Sequence, residues 1–454
     1  MYIPNSVLEL MDRLEERGHE CWAVGGCVRD WLMGLTPHDY DCCTSALPEQ
    51  MLEIFADRQL VLAGLKHGTV GVVTEAGVVE ITPFRTEGDY SDSRHPGGVR
   101  FVRSIREDLA RRDFTVNAMA YSPRRGLCDP FGGREDLQNK VIRAVGDAGT
   151  RFREDALRIL RGLRFAARFG FAIEEDTRRA MDTEIASLDS LARERVMAEL
   201  TGFLRAARAE DLVAGAPILC RCIPELQPCV GFQQHSRHHV YDVFGHIATV
   251  GEAVPATDEL RLAALLHDIG KPAVFTLDAN GEGHFYGHAA ASADLASQIL
   301  HRLKASNALL EEVVWLVKHH MDRYEADEKT ARRLLSRHGL ARMERLLTFQ
   351  AADLGGKGTD APDESLRTLL SLGELLRTLS EQEGALTLKT LAVSGKDLMA
   401  LGMAPARSWE RPSTVCWKRS SPGRCPMKGI RCWRNYLEKS YRRGRRPRRP
   451  IGEI

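Results

Sequence analysis

Apolar and polar positions follow two rhythms along this chain, and the change falls near residue 150. Before it, short apolar runs bounded by glycines and polar turns predict strands mixed with helices; after it, apolar positions recur at helical spacing. The opening segment MYIPNSVLELMDRLEERGHE reads as an amphipathic helix. Cys21–Val24 reads as a strand, followed by the Gly25, Gly26 turn and a helix starting near Val28. Asp39, Tyr40 and Asp41 are predicted to form the next strand. The run HGTVGVVTEAGVVEITPFR, 67–85, reads as a hairpin of two β-branched runs joined through Ala76 and Gly77. It would add strands beside Asp39 and Asp41, which predicts a small mixed sheet with helices on one side. Residues 85–101 are polar, contain glycine and show no period, so they read as a solvated loop.

Length and composition narrow the class. A chain of 454 residues can bury substantial cores and predicts two to four domains. It has no run of about eighteen uncharged apolar residues, and its first segment lacks the layout of a signal peptide, so a soluble, cytoplasmic protein with no membrane partner is expected. Eleven cysteines without paired metal spacing read as reduced, mostly structural thiols. The formal net charge of +1 hides an asymmetry: 404–454 carries fifteen Lys and Arg against three acids, so the rest of the chain is acidic. That tail, residues 404–454, also holds three of the six tryptophans and shows neither period. It is expected to be disordered or translated out of its ancestral frame; its alternative reading is a basic, aromatic RNA-binding extension.

The chemistry concentrates in CWAVGGCVRDWLMGLTPHDYDCCT, 21–44. On a strand, Asp39 and Asp41 would point to one face, close enough to share divalent cations. Two such ions can steer an in-line attack on phosphorus. The glycines let backbone N–H groups approach phosphate oxygens, and Arg29 stands where a guanidinium can hold a triphosphate. Glu80 and Asp113 compete as a third carboxylate, and the sequence does not choose between them. In RFREDALRILRGLRFAARFGF, Leu157, Leu160, Leu163 and Ala167 make an inward stripe, while Asp155, Arg158, Arg161 and Arg164 recur every third residue and fan across about half the helix. Asp155 can accept from the exocyclic amine of cytosine or adenine and Arg158 can donate to the neighbouring ring acceptors. Uracil and guanine would meet the carboxylate acceptor to acceptor. Arg161 and Arg164 would hold phosphates or stack.

The pattern G-G-x-V-R-D-x-L-x-G then D-x-D-x-x-T resembles the catalytic head of class II tRNA nucleotidyltransferases and bacterial poly(A) polymerases. RRDFTVNAMAY at 111–121, DPFGG at 129–133, EDALRILRGLRF at 154–165 and RERV at 193–196 follow in that family's order. The resemblance implies Asp39 and Asp41 as catalytic ligands of Mg²⁺, and Gly26, Arg29, Arg112, Asp155, Arg158, Arg161 and Arg164 as the nucleotide-binding set. Asn117 is left between a ribose contact and packing. It further implies tRNA, CTP and ATP as partners, and an enzyme that adds CMP and AMP to the tRNA 3′ end. In the family the stretch matching 85–101 is a flexible loop needed for the last adenosine. Rival readings are a poly(A) polymerase and a partial enzyme adding only CC or only A.

A second constellation, HHVYDVFGHIATV at 238–250, LAALLHDIGKP at 262–272, HFYGHAAASA at 284–293, VKHHMD at 317–322 and AADLGG at 351–356, resembles an HD phosphohydrolase domain. His246, His267, Asp268 and Asp353 offer a mixed nitrogen and oxygen ligand set suited to a divalent transition metal. His288, His319 and His320 can widen the site to a second ion or bind phosphate. Hydrolysis of phosphate ends is the implied second activity, and a metal-dependent phosphohydrolase that uses the head only to bind RNA is the reading from another class. The expected fold is α+β: a nucleotidyltransferase head at 1–145 with a small mixed sheet and helices, a helical neck binding RNA and nucleotide at 146–230, a helical HD domain at 231–403, and the tail.

Overall fold

The computed structural model describes residues 1–384, except 76, 88–89, 93–94, 97–98, 237–239 and 359–362. The tail 404–454 therefore lies outside the described residues. The chain divides into two compact units, 1–227 with 298–307, and 228–297 with the residues from 308 onward.

The first unit opens with α1 (Asn5–Glu16), β1 (Cys21–Val24), α2 (Gly26–Leu32), β2 (Asp41–Thr44), α3 (Pro48–Ile54), β3 (Leu60–Val61), β4 (Val70–Thr74) and β5 (Gly77–Pro83). Val7, Leu10, Met11 and Leu14 of α1 are buried, the spacing of one helix face. Each fully buried side chain of this size contributes roughly 1.5–3 kcal/mol. Four short strands follow, β6 (Arg85–Glu87), β7 (Tyr90–Asp92), β8 (His95–Pro96) and β9 (Val99–Phe101), then α4 (Ile105–Ala110), β10 (Ala120–Ser122), β11 (Gly126–Cys128) and α5 (Gly133–Asn139). Seven strands form one mixed sheet in the order β11-β10-β1-β2-β5-β4-β3. The β4–β5 hairpin is antiparallel, and β5 runs parallel to β2 with Glu80 in register with Asp41.

Four expectations are corrected here. Helices were expected on one side of the sheet, but both faces are buried: Cys21, Ala23 and Cys42 pack into one cluster, and Trp22, Val24 and Cys43 into another. Period-two alternation of uninterrupted apolar strands produces this, since both sets of side chains are then hydrophobic. Residues 85–101 do not run as an unpaired loop, because β6 pairs with β9 and β7 with β8. These pairs are only two or three residues long, too short to print a period. The second strand begins at Asp41, so Asp39 and Tyr40 precede it, and α2 begins at Gly26 rather than near Val28.

Beyond residue 140 the unit is helical: β12 (Val141–Ile142), α6 (Ala148–Glu154), α7 (Leu157–Phe169), β13 (Ala172–Ile173), α8 (Glu175–Thr183), α9 (Arg193–Ala206), α10 (Ala209–Ala214) and α11 (Ala216–Cys222). Leu157, Leu160, Leu163 and Ala167 are buried as the stripe predicts. The charged series does not occupy one helix, however. Asp155 is the C-cap of α6 with extended backbone, and its Oδ1 accepts the Leu157 N–H at 3.0 Å, which starts α7. Aspartate favours such positions because its short carboxylate satisfies orphan amides at a helix start.

The second unit is helical among its described residues apart from a two-stranded pair. It contains α12 (Val243–Ala253), α13 (Asp258–Leu266), β14 (Thr276–Leu277), β15 (Gly283–His284), the start of α14 (His288–Arg302), α15 (Asn307–His319), α16 (Glu328–His338), α17 (Leu340–Gly356) and α18 (Asp363–Gly384). Asp242 caps α12 by accepting the Gly245 N–H at 2.6 Å, which places His246 in the first helical turn. The architecture as a whole is α+β. No helix among the described residues is long and apolar enough to cross a membrane, and the eight described cysteines are unpaired.

Candidate active sites

The end of β1, the start of α2, the start of β2 and the α6–α7 junction surround a cleft of about 630 Å³ in the first unit. All nine residues predicted for catalysis and nucleotide binding line it: Gly26, Arg29, Asp39, Asp41, Arg112, Asp155, Arg158, Arg161 and Arg164. Its lining contains eight arginines and five aspartates, so the cleft carries a positive surplus suited to a polyphosphate.

At the acidic end, Asp39 and Asp41 are exposed, and among the described residues neither side chain makes a hydrogen bond or ion pair. Crowding by surrounding protein, then the charges of Asp39 and Glu80, raise the Asp41 pKa; Arg112 opposes them. Carboxylates that repel one another are stabilised by a shared cation. Of the two candidates for a third carboxylate, Glu80 stands beside Asp41 on the adjacent strand, whereas Asp113 is committed elsewhere. Arg161 Nη2 lies 2.7 Å from Asp113 Oδ2, and Oδ1 accepts from the Phe114 N–H and from Asn117 Nδ2. Burial would raise the Asp113 pKa, but Arg161 and these hydrogen bonds together hold it low.

The basic side is held by carboxylates behind it. Arg29 Nη1 donates to Asn117 Oδ1 at 2.6 Å and its other nitrogens donate to Asp30, with the guanidinium 4.7 Å above the Phe169 ring. Asn117 thus bridges Arg29 and Asp113. Gly25 sits at φ +71°, and a Cβ there would lie 2.7 Å from Arg112 Nη1, so glycine serves both the turn and the approach of that guanidinium. Arg112 donates to Asp108 at 3.3 Å, and Arg111 donates to the same carboxylate. Burial opposes the ionised form of Asp108, yet the two arginines outweigh it and lower its pKa. Arg158 is buried and donates to Glu154, at 2.7 Å, and to the carbonyls of Arg151 and Arg111. Arg164 donates to Glu199 at 2.6 Å and lies 4.4 Å over the Phe165 ring.

Sequence reasoning missed Asp30, Asp108, Glu154, Arg195 and Glu199, the partners that orient these groups. Asp108 stands three and four residues before Arg111 and Arg112, a helical pairing period that could have revealed it. The pairings of Arg195 and Glu199 cross between helices and leave no local signal.

The second unit holds a separate, buried cluster. His246 Nε2 lies 3.0 Å from Asp353 Oδ1, His267 Nε2 lies 3.2 Å from Asp268 Oδ2, and the two histidines approach to 3.3 Å. On the other side of Asp268, Oδ1 faces His288 Nε2 at 3.4 Å and His320 Nε2 at 3.8 Å. Two groups of potential ligands share Asp268, His246 with His267 and His288 with His320, each with its ligand atoms within 4.8 Å of one another. All four residues of the predicted set meet here. Of the three histidines considered for a wider site, His288 and His320 join the cluster; His319 instead pairs with Asp322 at 2.7 Å. Burial alone would lower the His267 pKa, but Asp268 and Asp353 outweigh it and raise it to about 9. Burial, reinforced by His267, pushes His320 down to about 4. Lys271 Nζ sits 2.7 Å from Asp268 and donates to Gln234. A pocket of about 250 Å³ leads to Asp268, His288, His320 and Asp353.

Comparison with known proteins matches the acidic end of the first cleft and the histidine cluster to known domains. Residues 21–143 match the Poly A polymerase head domain and residues 237–354 match the HD domain. Both are families of metal-dependent proteins. The CCA-adding enzyme of Geobacillus kaustophilus is 44% identical over 219 residues, which is 48% of this chain and 51% of that protein. The Staphylococcus aureus CCA-adding enzyme is 44% identical over 201 residues, 44% of this chain and 50% of that protein. The chain thus spans about half the length of the curated relatives it matches. The crystal structure of the Bacillus stearothermophilus CCA-adding enzyme in complex with CTP aligns with a TM-score of 0.59 at 29% identity, over 89% of this chain and 90% of that one. A tRNA nucleotidyltransferase complexed with a primer tRNA and an incoming ATP analog shares the fold, with a TM-score of 0.56 at 22% identity over 82% and 99%.

Proposed function

We propose that this chain adds CMP and AMP from CTP and ATP to the 3′ end of tRNA without a nucleic-acid template, building or repairing the C-C-A terminus. One observation carries the reading: nine residues chosen from sequence motifs line a single cleft with carboxylates at one end and arginines along the rest. The relatives named CCA-adding enzymes support it. Asp39 and Asp41 fit a pair of Mg²⁺ ions, with Glu80 the third carboxylate, because they are exposed, adjacent and without protein partners. When bound, the ions supply charge neutralisation at the attacking and leaving oxygens. The primer 3′ oxygen forms a bond to the α-phosphorus, the bond to the β-phosphate oxygen breaks, pyrophosphate leaves, and the hydroxyl proton passes to water. Arg29 and Arg112 hold the triphosphate, Arg161 and Arg164 the remaining phosphate or stacking contacts, and Asp155 with Arg158 reads the base edge. The segment 1–145 acts as the catalytic head and 146–230 as the neck that receives the acceptor arm by shape and backbone charge. The setting is cytoplasmic.

The test is incorporation of labelled CMP and AMP into tRNA lacking its C-C-A end. The wild-type chain incorporates both and rejects UMP and GMP. Asp41→Ala abolishes incorporation while tRNA binding persists; continued incorporation would refute the metal assignment.

A second activity is favoured by one specific observation, the sharing of Asp268 between two histidine pairs. We assign to 231–403 a metal-dependent phosphohydrolase acting on phosphate ends. His246, His267, Asp268 and Asp353 fit a divalent transition metal, and a cation between them would take over the charge that protonated His267 supplies. Release of phosphate from a 2′,3′-cyclic nucleotide with a divalent ion, lost in His267→Ala with tailing intact, is expected; no release with any divalent ion would refute it.

A further inference from the structure

Helix α9 brings to the cleft two charged side chains that lie beyond the matched head domain. Arg195 and Glu199 stand four residues apart, neighbours on one helix face. Arg195 Nη2 lies 2.8 Å from Asp155 Oδ2, while Asp155 Oδ1 accepts the Leu157 N–H. Both oxygens of this carboxylate are therefore held, one by a guanidinium from another helix and one by the backbone. One turn along α9, Glu199 accepts from Arg164 and lies 3.7 Å from Arg161 Nη1. A single helix face thus holds Asp155 and Arg164 and approaches Arg161.

The last torsion of an aspartate is broad and roughly two-fold, so an unrestrained carboxylate samples many orientations. An ionised carboxylate has about four acceptor directions. Leu157 and Arg195 engage two and set the plane, which directs the others. A charge-assisted hydrogen bond is about twice as strong as a neutral one, so the guanidinium is the firmer of the two restraints.

We propose that Arg195 is a positioning residue for nucleotide choice: by clamping the Asp155 carboxylate it fixes the direction in which this acceptor meets the base edge, so an amine is bound and a carbonyl is opposed. The inference rests on the reading of Asp155 as the base-selecting acceptor. With the clamp removed, the carboxylate can turn aside, and a carbonyl-bearing base no longer meets fixed negative charge. Discrimination then falls more than turnover does.

The experiment uses the full chain carrying Arg195→Met or Arg195→Lys, with kcat and KM measured for CTP, ATP, UTP and GTP on tRNA lacking C-C-A. The Arg195 side chain is 42% exposed, so shortening it leaves no buried cavity. In Arg195→Met the ratio of kcat/KM for UTP over CTP rises on the order of tenfold, the low end of what one base-edge hydrogen-bonding pair discriminates. Arg195→Lys restores part of the selectivity. An equal fall for all four nucleotides, with ratios unchanged, would overturn the proposal. Asp155→Ala, run alongside, separates the two readings. Lost discrimination there with retained discrimination in Arg195→Met sinks the clamp alone; retained discrimination in Asp155→Ala sinks the base-reading assignment itself.

Discussion

The cleft of the first unit and the histidine cluster of the second solve opposite problems with similar residue types. In the cleft, the carboxylates proposed as catalytic, Asp39 and Asp41, are exposed, while Arg29, Arg112, Arg158, Arg161 and Arg164 are each anchored to a carboxylate or a carbonyl. On the proposed function, substrate phosphates would meet guanidiniums whose orientation is already set, at little cost in side-chain freedom on binding. In the cluster the ligands are buried and bonded to one another, and only a small pocket reaches them. On the proposed functions, the first site must admit a nucleotide and an RNA end, whereas the second holds its ligand set buried and is reached only through a small pocket. Charge placement, more than residue composition, separates the two.

Substitutions at the two sites should break this comparison cleanly. The largest effect is expected from Asp41→Ala, with nucleotide addition reduced by at least ~10²–10³-fold, the scale for losing one group that stabilises transition-state charge. Metal binding by the histidine cluster, followed by calorimetry, should be unchanged. Conversely, His267→Ala should remove transition-metal binding and phosphate release and leave nucleotide addition within about twofold of wild type, since the two sites share no residue. Coupled loss in either direction would contradict the separation.

Smaller effects sharpen what holds each site. Gly25→Ala introduces a side chain at φ +71° and against Arg112, and should destabilise the first unit by roughly 1–3 kcal/mol, read as a lower urea midpoint. Asp242→Ala removes the cap of α12 and its bond to the Gly231 N–H. About 1 kcal/mol is expected from the cap alone, seen as a lowered Tm, with metal affinity falling because His246 sits one turn inside that helix.

Much of the cleft was legible because its residues are bound to local geometry. Glycine at a left-handed turn, aspartates two apart and arginines three apart each follow from a short-range rule, and the strand at 21–24 and the hairpin at 67–85 announce themselves as short apolar or β-branched runs. What could not be read was long-range or depended on competition between local states. The three-residue spacing from Asp155 to Arg164 suggests one continuous helix, yet Asp155 ends α6, accepts the Leu157 amide of α7 and stands at a break. Choosing Glu80 over Asp113 required the β2–β5 register and the burial of Asp113 against Arg161, neither of which the linear chain contains. The short pairs within 85–101 are too brief to carry a pattern. For the histidine cluster, the order of histidines and aspartates along the chain was sufficient to name four residues that meet, but only the fold shows that His288 and His320 share Asp268 while His319 turns away.

What the first cleft adds to RNA decides between these readings. Purified chain should be given tRNA ending just before C-C-A, with CTP, ATP, UTP and GTP at equal concentration, and the products sized and sequenced at their 3′ ends. A homogeneous extension by three nucleotides, C, C and A, is predicted. A long adenosine ladder would identify a poly(A) polymerase, arrest after CC or addition of A alone a partial enzyme, and no extension at all would contradict the assignment of the cleft as a nucleotidyltransferase.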